Sequence, residues 1–449
     1  MSQEQATNAI AGVAKQLRVD PENVWAALEE AANKQNAGRS ASRLDRQTVV
    51  VDSKAVGVAS GTVGVWTIAG KTSNGDDVSV VVKGIQLREN PLDPLWDTTK
   101  RSVKDPFHWM REVHAYRGAL LDNPVGNVRT PKSYGQLASV DSVRERIAGI
   151  VIERVTGIEG VDMDRQEFLK VARDVGEMQG AFALRFAAES QPQPQWLSRG
   201  YFREYVSRVA TLMESFDESV LEEPLISAFA QERQGETLFQ ATNRMWDDRE
   251  TFLKLTEAIP LRTLAHNDFW QGQVIRDAGG QTVVIDLAAM GDAPLGADIA
   301  KLTIEVIARD ALDMDAARQF EAEMNKAYFD GLERAGVPVG ETEVAQMVQL
   351  GWSASVAATE SYRMGVDWIP MVHGDERSAV NRKMWGGRDP QDVFELYAQR
   401  SVRLIEHGEL AREIAVRLEP LLNEENAAQK LLGVSSSDRD PGLEKAIER

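Results

Sequence analysis

The 449-residue chain has no cysteine, which excludes a disulfide framework and every thiolate metal site. With only 5 histidines, a bound metal would be held mainly through oxygen, and oxygen favours ions of the Mg²⁺ type. Long apolar runs are missing too: none approaches the ~20 residues that cross a bilayer. The opening MSQEQATNAI has neither the basic flank nor the apolar core of a secretory signal, so a cytoplasmic protein with no membrane association is expected. Nor is there a basic excess: 51 Lys and Arg stand against 69 Asp and Glu, a formal charge of −18. Partners with a long phosphate backbone need a basic face, so no nucleic acid is expected. A single nucleotide is not excluded, because one lysine, a metal ion and backbone N–H groups can meet its few phosphates. What the chain does have is core-forming material, 43% hydrophobic residues, in a length that suggests two or three packed units.

The pattern changes along the chain. Residues 3–16 and 21–36 carry helical apolar spacing, the second stretch opening on Pro21 with Val24, Ala27, Leu28 and Ala31 on one face. Residues 39–46 are polar and read as a linker, so residues 1–47 form a helical extension that caps the next unit, pairs with another chain or decorates it. From Thr48 β-branched runs take over, at 48–53, 54–58, 63–68 and 78–82, broken by Gly, Ser, Asn and Asp as in an antiparallel meander. NGDD at 74–77 marks a turn just before VSVVVK. A helix over 105–121 and an apolar strand over 147–153 complete a small unit spanning 48–157. Beyond Asp164 helices dominate, over 166–182, 201–212, 225–232, 244–256, 298–309, 314–335, 341–361, 390–407 and 411–422, with short strands near His266. They make a larger unit, 158–425, and residues 426–449 read as a polar tail.

The densest chemistry lies in residues 264–302, LAHNDFWQGQVIRDAGGQTVVIDLAAMGDAPLGADIAKL. His266 and Asp268 share one short segment, Gln273 follows five positions after Asp268, and Asp286 ends the run at 282–285. A transferase that uses a nucleoside triphosphate needs such a set: Asp268 to orient an acceptor hydroxyl, Asp286 to hold Mg²⁺, and the Gln273 carbonyl to complete the metal shell. His266 is expected to brace the loop of the catalytic group, and Asp298 to cap the next helix and tie its start to that loop.

Upstream, Lys83 ends VSVVVK, where its ammonium can reach α- and β-phosphates, and Glu112 on a helix can fix it. Taken singly, a strand-edge lysine and a solvent-facing glutamate look the same. VGVASGTVG puts Ser60, Gly61 and Thr62 in a glycine-bearing turn whose N–H groups either cradle phosphate or merely close a hairpin. Its spacing fits neither GxxxxGK[ST] nor GxGxxG. The backbone from Glu153 to Val155, in ERVTG, either receives an adenine edge between the two units or is a plain connector.

Together these residues resemble the aminoglycoside phosphotransferase/choline kinase group, a branch of the protein-kinase-like fold. The family's His-Gly-Asp, followed five residues later by Asn, matches His266, Asn267, Asp268 and Gln273. Its second metal-binding Asp, after an apolar strand, matches Asp286, and its Gly-x-Asp-[LI]-Ala segment matches Gly296, Ala297, Asp298, Ile299 and Ala300. The family's phosphate-contacting lysine falls on Lys83, its helix glutamate on Glu112 and its lobe-connecting E-x-x-x-G on residues 153–157. Two positions depart from the pattern: Asn267 stands where glycine is usual, and Gln273 where asparagine is. The resemblance covers roughly residues 48–420. It implies an α+β, bilobal protein-kinase-like fold, a small antiparallel-sheet lobe plus a large, mostly helical lobe. It further implies ATP or GTP with Mg²⁺ in the cleft, and phosphoryl transfer to a hydroxyl of a small molecule such as an aminoglycoside, amino sugar, sugar or related metabolite.

The acceptor is expected against the helical lobe. There residues 351–387 mix Trp352, Tyr362, Trp368 and Trp385 with Glu360, Asp367, Asp375 and Glu376. Such surroundings suit sugars or cationic amines, and ordinary helix packing gives the same pattern. Phe269 and Trp270, beside Asp268, are further candidates for the acceptor wall. The competing expectation is a kinase-like scaffold or pseudokinase that binds nucleotide and meets a protein partner, or a second copy, through the N-terminal helices. A protein kinase fits less well, because LAAMGDAPLG runs from Asp286 straight into a helix and leaves no long activation segment.

Overall fold

The computed structural model describes residues 3–36, 43–54, 62–86, 105–117, 125–138, 147–188, 194–213, 232–233, 235–310, 312–360 and 390–434. Helices α1 (Gln3–Leu17) and α2 (Pro21–Gln35) lead the chain. The Asp20 side chain accepts from the Glu22 N–H and Pro21 fills the first turn, so α2 starts with few orphan donors. Next come β1 (Leu44–Lys54), β2 (Thr62–Thr72), β3 (Asp77–Gln86), α3 (Arg111–Arg117), β4 (Val128–Arg129), β5 (Ser133–Ala138), β6 (Ile147–Glu153) and β7 (Gly157–Glu159). Five of these strands form one antiparallel sheet in the order β1-β2-β3-β6-β5.

The second lobe opens with α4 (Arg165–Ala188), α5 (Tyr201–Met213), the small pair β8 (Glu232–Arg233) and β9 (Glu236–Thr237), α6 (Leu238–Asp247) and α7 (Arg249–Ala258). Four short strands follow, β10 (Arg262–Ala265), β11 (Val274–Asp277), β12 (Thr282–Val284) and β13 (Gly291–Pro294). It closes with α8 (Ala297–Asp310), α9 (Met314–Arg334), α10 (Thr342–Glu360), α11 (Pro390–Leu422) and α12 (Ala427–Leu432). Its core gathers Phe168 and Val171 from α4, Phe320 and Tyr328 from α9, Trp352 from α10 and Leu404 from α11. The architecture is the expected α+β pair of lobes, sheet in the smaller and helices in the larger.

Alternation in the sheet decides what each face meets. Trp66, Ile68, Val78, Val80, Val82 and Val151 pack with Ile10, Val13, Leu17, Val24, Trp25 and Leu28, so α1 and α2 lie on one face. A Cβ on Gly84 would meet the Leu17 side chain at 2.6 Å, so the bare glycine is what lets α1 approach. Lys34 Nζ donates to the Tyr134 carbonyl and Gln35 Nε2 to that of Ser79, both at 2.8 Å. The apolar side of the leading helices is thus laid on the sheet. Leu17 is 1% exposed, and Leu17→Ala is expected to cost about 2–5 kcal/mol through lost burial and a residual cavity. Denaturant unfolding checks this: a change under about 1 kcal/mol would mean that α1 contributes little to the small lobe.

Several boundaries differ from expectation. β1 begins at Leu44, inside the expected linker, because Leu44 is buried and pairs with Thr72 while Asp45, Arg46 and Gln47 hide the alternation around a bulge. The helix expected over 105–121 is confined, among the described residues, to α3, because Asp105 folds back to accept the Phe107 N–H and holds a turn. The helix expected over 244–256 is two, α6 and α7, broken at Asp248; α6 starts earlier on a capping box between Thr237 and Gln240. Residues 390–407 and 411–422 form one helix, α11. Gly408 does not end it but makes room for Met245, whose sulfur lies 2.5 Å from where a Cβ would stand. The expected tail contains α12, tied to α4 by Gln429 Nε2 on the Ala187 carbonyl at 3.1 Å. Ser60, Gly61, residues 225–231, Tyr362, Asp367, Trp368, Asp375, Glu376, Trp385 and residues 435–449 lie outside the described residues.

Candidate active site

With Val80 and Val82 committed to the helices behind the sheet, Val81 and Lys83 face the other lobe. Lys83 Nζ lies 2.7 Å from Glu112 Oε2 on α3 and 2.8 Å from Asp286 Oδ1, just past β12. Three residues expected at a phosphate site therefore meet at one point. The Glu112 side chain is 3% exposed, that of Lys83 12% and that of Asp286 40%, so the cluster opens toward the cleft on the Asp286 side. Burial works against the Lys83 charge, but Asp286 and Glu112 outweigh it and raise the lysine pKa. Burial also works against the Asp286 carboxylate, yet the Lys83 charge and hydrogen bond hold it below the ordinary range.

One cation cannot satisfy two carboxylates equally, and Glu112 is the one that yields. Burial pushes its pKa up to about 7, against the pull of Lys83 and with the Asp286 charge adding to the rise. The sign of the linkage follows. A folded pKa above the ordinary 4.5 contributes stability that is complete below about 4.5 and is lost as pH rises through about 7. Glu112→Gln is expected to flatten the fall in melting temperature across that window. Parallel slopes in the two proteins would remove Glu112 as its source.

The loop that carries His266, Asn267 and Asp268 is delivered by the β10–β13 pair, which sets Ala265 opposite Gly291. Asn267 has φ 64° and Asp286 φ 59°, two of the three non-glycine residues with left-handed backbone among those described. Asn and Asp tolerate this region best, and hydrogen bonds hold it. Asp298 Oδ2 accepts the His266 N–H at 2.7 Å and Oδ1 accepts the Asn267 N–H at 2.9 Å. Gln179 Nε2 donates to Asp298 at 2.8 Å, and the Tyr328 hydroxyl donates to Gln179 at 2.6 Å, so α4 and α9 both steady the loop. Burial pushes the Asp298 pKa up, against the charge of His266 and the two loop N–H groups. His266 Nε2 bonds the Ile285 carbonyl at 2.8 Å, which makes Nε2 the protonated nitrogen. The imidazole thus braces the loop against the residue before Asp286.

Gln273 Nε2 lies 3.5 Å from Asp286 Oδ2, so the longer amide spans to the carboxylate. Among the described residues no group of three or more His, Asp or Glu forms a metal cage. Two hard oxygen donors that leave the remaining positions to phosphate and water fit Mg²⁺, which is ordinarily held in that way.

Asp268 is met by a residue the sequence did not single out. Lys301 Nζ lies 2.6 Å from Asp268 Oδ1. Its one sequence signal is its position three residues after Asp298 on α8, hence on the same helix face. Beside this pair lies a small pocket, lined among others by Tyr201, Tyr205, Asn267, Lys301, Ser355 and Glu360. Two expected wall residues do not reach it. Phe269 is buried in the core, tilted on His266 at 5.7 Å, and Trp352 is buried among the helices. Glu360 does line it, with its carboxylate ion-paired to buried Arg400.

At the lobe connection, Arg129 grips Glu153 at 2.7 Å and Asp277 at 2.9 Å, and the Glu153 N–H donates to the Lys132 carbonyl. Glu153 is therefore occupied in holding β6 to its neighbours. Arg154, Val155 and Thr156 enter none of the turn and loop backbone hydrogen bonds among the described residues. Thr62 opens β2.

The sequence profile of the phosphotransferase enzyme family (APH) matches residues 103–337, just over half of the 449. The chain belongs to this family. The matched stretch holds Glu112, Glu153, His266, Asp268, Gln273, Asp286 and Asp298, while Lys83 precedes it. Solved structures similar to this phosphotransferase family member include a thermostable mutant of aminoglycoside phosphotransferase APH(4)-Ia, 14% identical, covering 81% of this chain and 96% of that one, with a TM-score of 0.42. Amicoumacin kinase hAmiN is 14% identical, with coverages of 76% and 87% and a TM-score of 0.39. An aminoglycoside phosphotransferase from Alicyclobacillus acidocaldarius is 12% identical, with coverages of 81% and 92% and a TM-score of 0.39. No curated protein matches the chain.

Proposed function

We propose that the protein transfers the γ-phosphoryl group of ATP or GTP, with Mg²⁺, to a hydroxyl of a small molecule. The observation that carries this is the meeting of Lys83, Glu112 and Asp286 in one cleft, with Asp268 beside a small pocket in the helical lobe. Lys83, fixed by Glu112, would hold the α- and β-phosphates, and Asp286 with Gln273 would hold the metal. Bound there, Mg²⁺ would supply positive charge against the phosphates of the nucleotide. Asp268 aligns the acceptor hydroxyl. The acceptor oxygen bonds to γ-phosphorus as the bond to the bridging oxygen of the nucleoside diphosphate breaks, and the hydroxyl proton passes to Asp268. Orientation and charge stabilisation account for the rate, with little covalent work for the protein.

A small acceptor suits the chain better than a protein. Residues 287–296 pass through one short 3₁₀ turn and β13 directly into α8, which leaves no segment to seat a peptide. The test has two stages. Thermal-shift titrations with ATP and GTP, with and without Mg²⁺, should show a Mg²⁺-dependent rise for at least one nucleotide, since ligand binding stabilises by mass action. Transfer of labelled γ-phosphate to sugars, amino sugars, aminoglycosides and nucleosides then finds the acceptor. No shift with either nucleotide would favour the scaffold reading instead.

A further inference from the structure

Asp268 sits on a loop, and a loop carboxylate that must orient a hydroxyl needs its side chain fixed as well as its backbone. The backbone is tied from the start of α8, where Asp298 accepts the His266 and Asn267 N–H groups. About one turn further along the same helix stands Lys301, whose Nζ meets Asp268 Oδ1 at 2.6 Å. Residues three apart share a helix face, so α8 holds the loop twice, once by its backbone and once by its carboxylate. The helix itself is firmly seated, with Ile299, Ala300 and Leu302 buried in the core of the lobe. Exposed ion pairs contribute little, because two long side chains must give up their freedom to keep one geometry. Lys301 is in a different position. Its side chain is 13% exposed against 31% for Asp268, and the face of Tyr205, 6.0 Å from the ammonium, narrows the space in which it can swing.

We propose that Lys301 is a positioning residue for phosphoryl transfer, fixing the Asp268 carboxylate in the orientation that meets the acceptor hydroxyl. The proposal rests on the phosphotransferase reading above. Lys301 neither gives nor takes a proton in that step: the acceptor oxygen still bonds to γ-phosphorus, the bond to the nucleoside diphosphate still breaks, and the hydroxyl proton still passes to Asp268. What the lysine supplies is alignment, and alignment carries much of the rate where the protein has little covalent work to do. A charge-assisted contact suits this role because it is short and directional.

Lys301→Met removes the charge and keeps most of the stem, and Lys301→Arg keeps the charge. With full-length protein, Mg²⁺ and the nucleotide found by thermal shift, γ-phosphate transfer to D-glucose, D-glucosamine, the aminoglycoside kanamycin and water is measured for kcat and for the nucleotide KM. Lys301→Met should lower kcat about 10- to 100-fold, with the nucleotide KM within about threefold of wild type and the Mg²⁺-nucleotide melting shift retained. Lys301→Arg should recover most of that loss. Because the lysine acts through Asp268, Lys301→Met should lower kcat no further in an Asp268→Asn background. A kcat near wild type in Lys301→Met, or the same full loss on top of Asp268→Asn, overturns the positioning role while transfer itself stands. A fall in kcat accompanied by loss of the melting shift marks a purely structural lysine and overturns it as well. Wild-type protein that shows no nucleotide shift, or that binds nucleotide and transfers to none of these acceptors, overturns the phosphotransferase reading and the role of Lys301 with it.

Discussion

Asp286→Ala is expected to erase the Mg²⁺-dependent part of the nucleotide-induced melting shift and to lower turnover by roughly 10³-fold. The side chain is committed at both oxygens, Oδ1 to Lys83 at 2.8 Å and Oδ2 beside the Gln273 amide at 3.5 Å. Removing it takes away the carboxylate donor of the metal pair and one of the two anions that hold Lys83. The fold should survive, because the side chain is 40% exposed and Lys83 keeps Glu112. Glu112 then has the lysine to itself and loses the like charge that adds to its high pKa, so it should ionise more readily in the variant. Titrating nucleotide with and without Mg²⁺ separates the effects. A Mg²⁺ dependence that persists in Asp286→Ala would put the ion elsewhere.

Asp268→Asn should behave differently, with turnover down by roughly 10²- to 10⁴-fold and nucleotide binding kept. Asparagine has nearly the same shape but cannot take the hydroxyl proton, and it turns the ion pair with Lys301 into a weaker, neutral contact. Lys83, Glu112 and Asp286 lie outside the change, so the melting shift with Mg²⁺ and nucleotide is the internal control. Turnover near wild type would remove Asp268 from the role assigned to it.

His266, Asp268, Gln273 and Asp286 were legible in the sequence because they are close along the chain and each borders a short apolar strand. The lobes were legible because period-two and helical spacings are local properties. Lys83, 203 positions before Asp286, could be joined to it only through the resemblance, and the ion pair now supplies the contact itself. Local reading failed where distant atoms decide. Leu44 is a strand residue because Thr72 pairs with it, and Gly408 continues a helix because Met245 needs the space. Lys301 was passed over because a lysine on a helix carries no mark of the carboxylate it will meet.

The grip of Arg129 on Glu153 and Asp277 turns the lobe connection into a pivot. Glu153 ends the sheet of one lobe and Asp277 belongs to a strand of the other, with the connecting residues 154–156 between. A guanidinium locked to both carboxylates resists sliding but leaves rotation about itself open. Lys83 and Asp286 then lie out along the two arms. A small turn at Arg129 would lengthen or shorten their 2.8 Å contact, as the jaws of pliers follow the rivet.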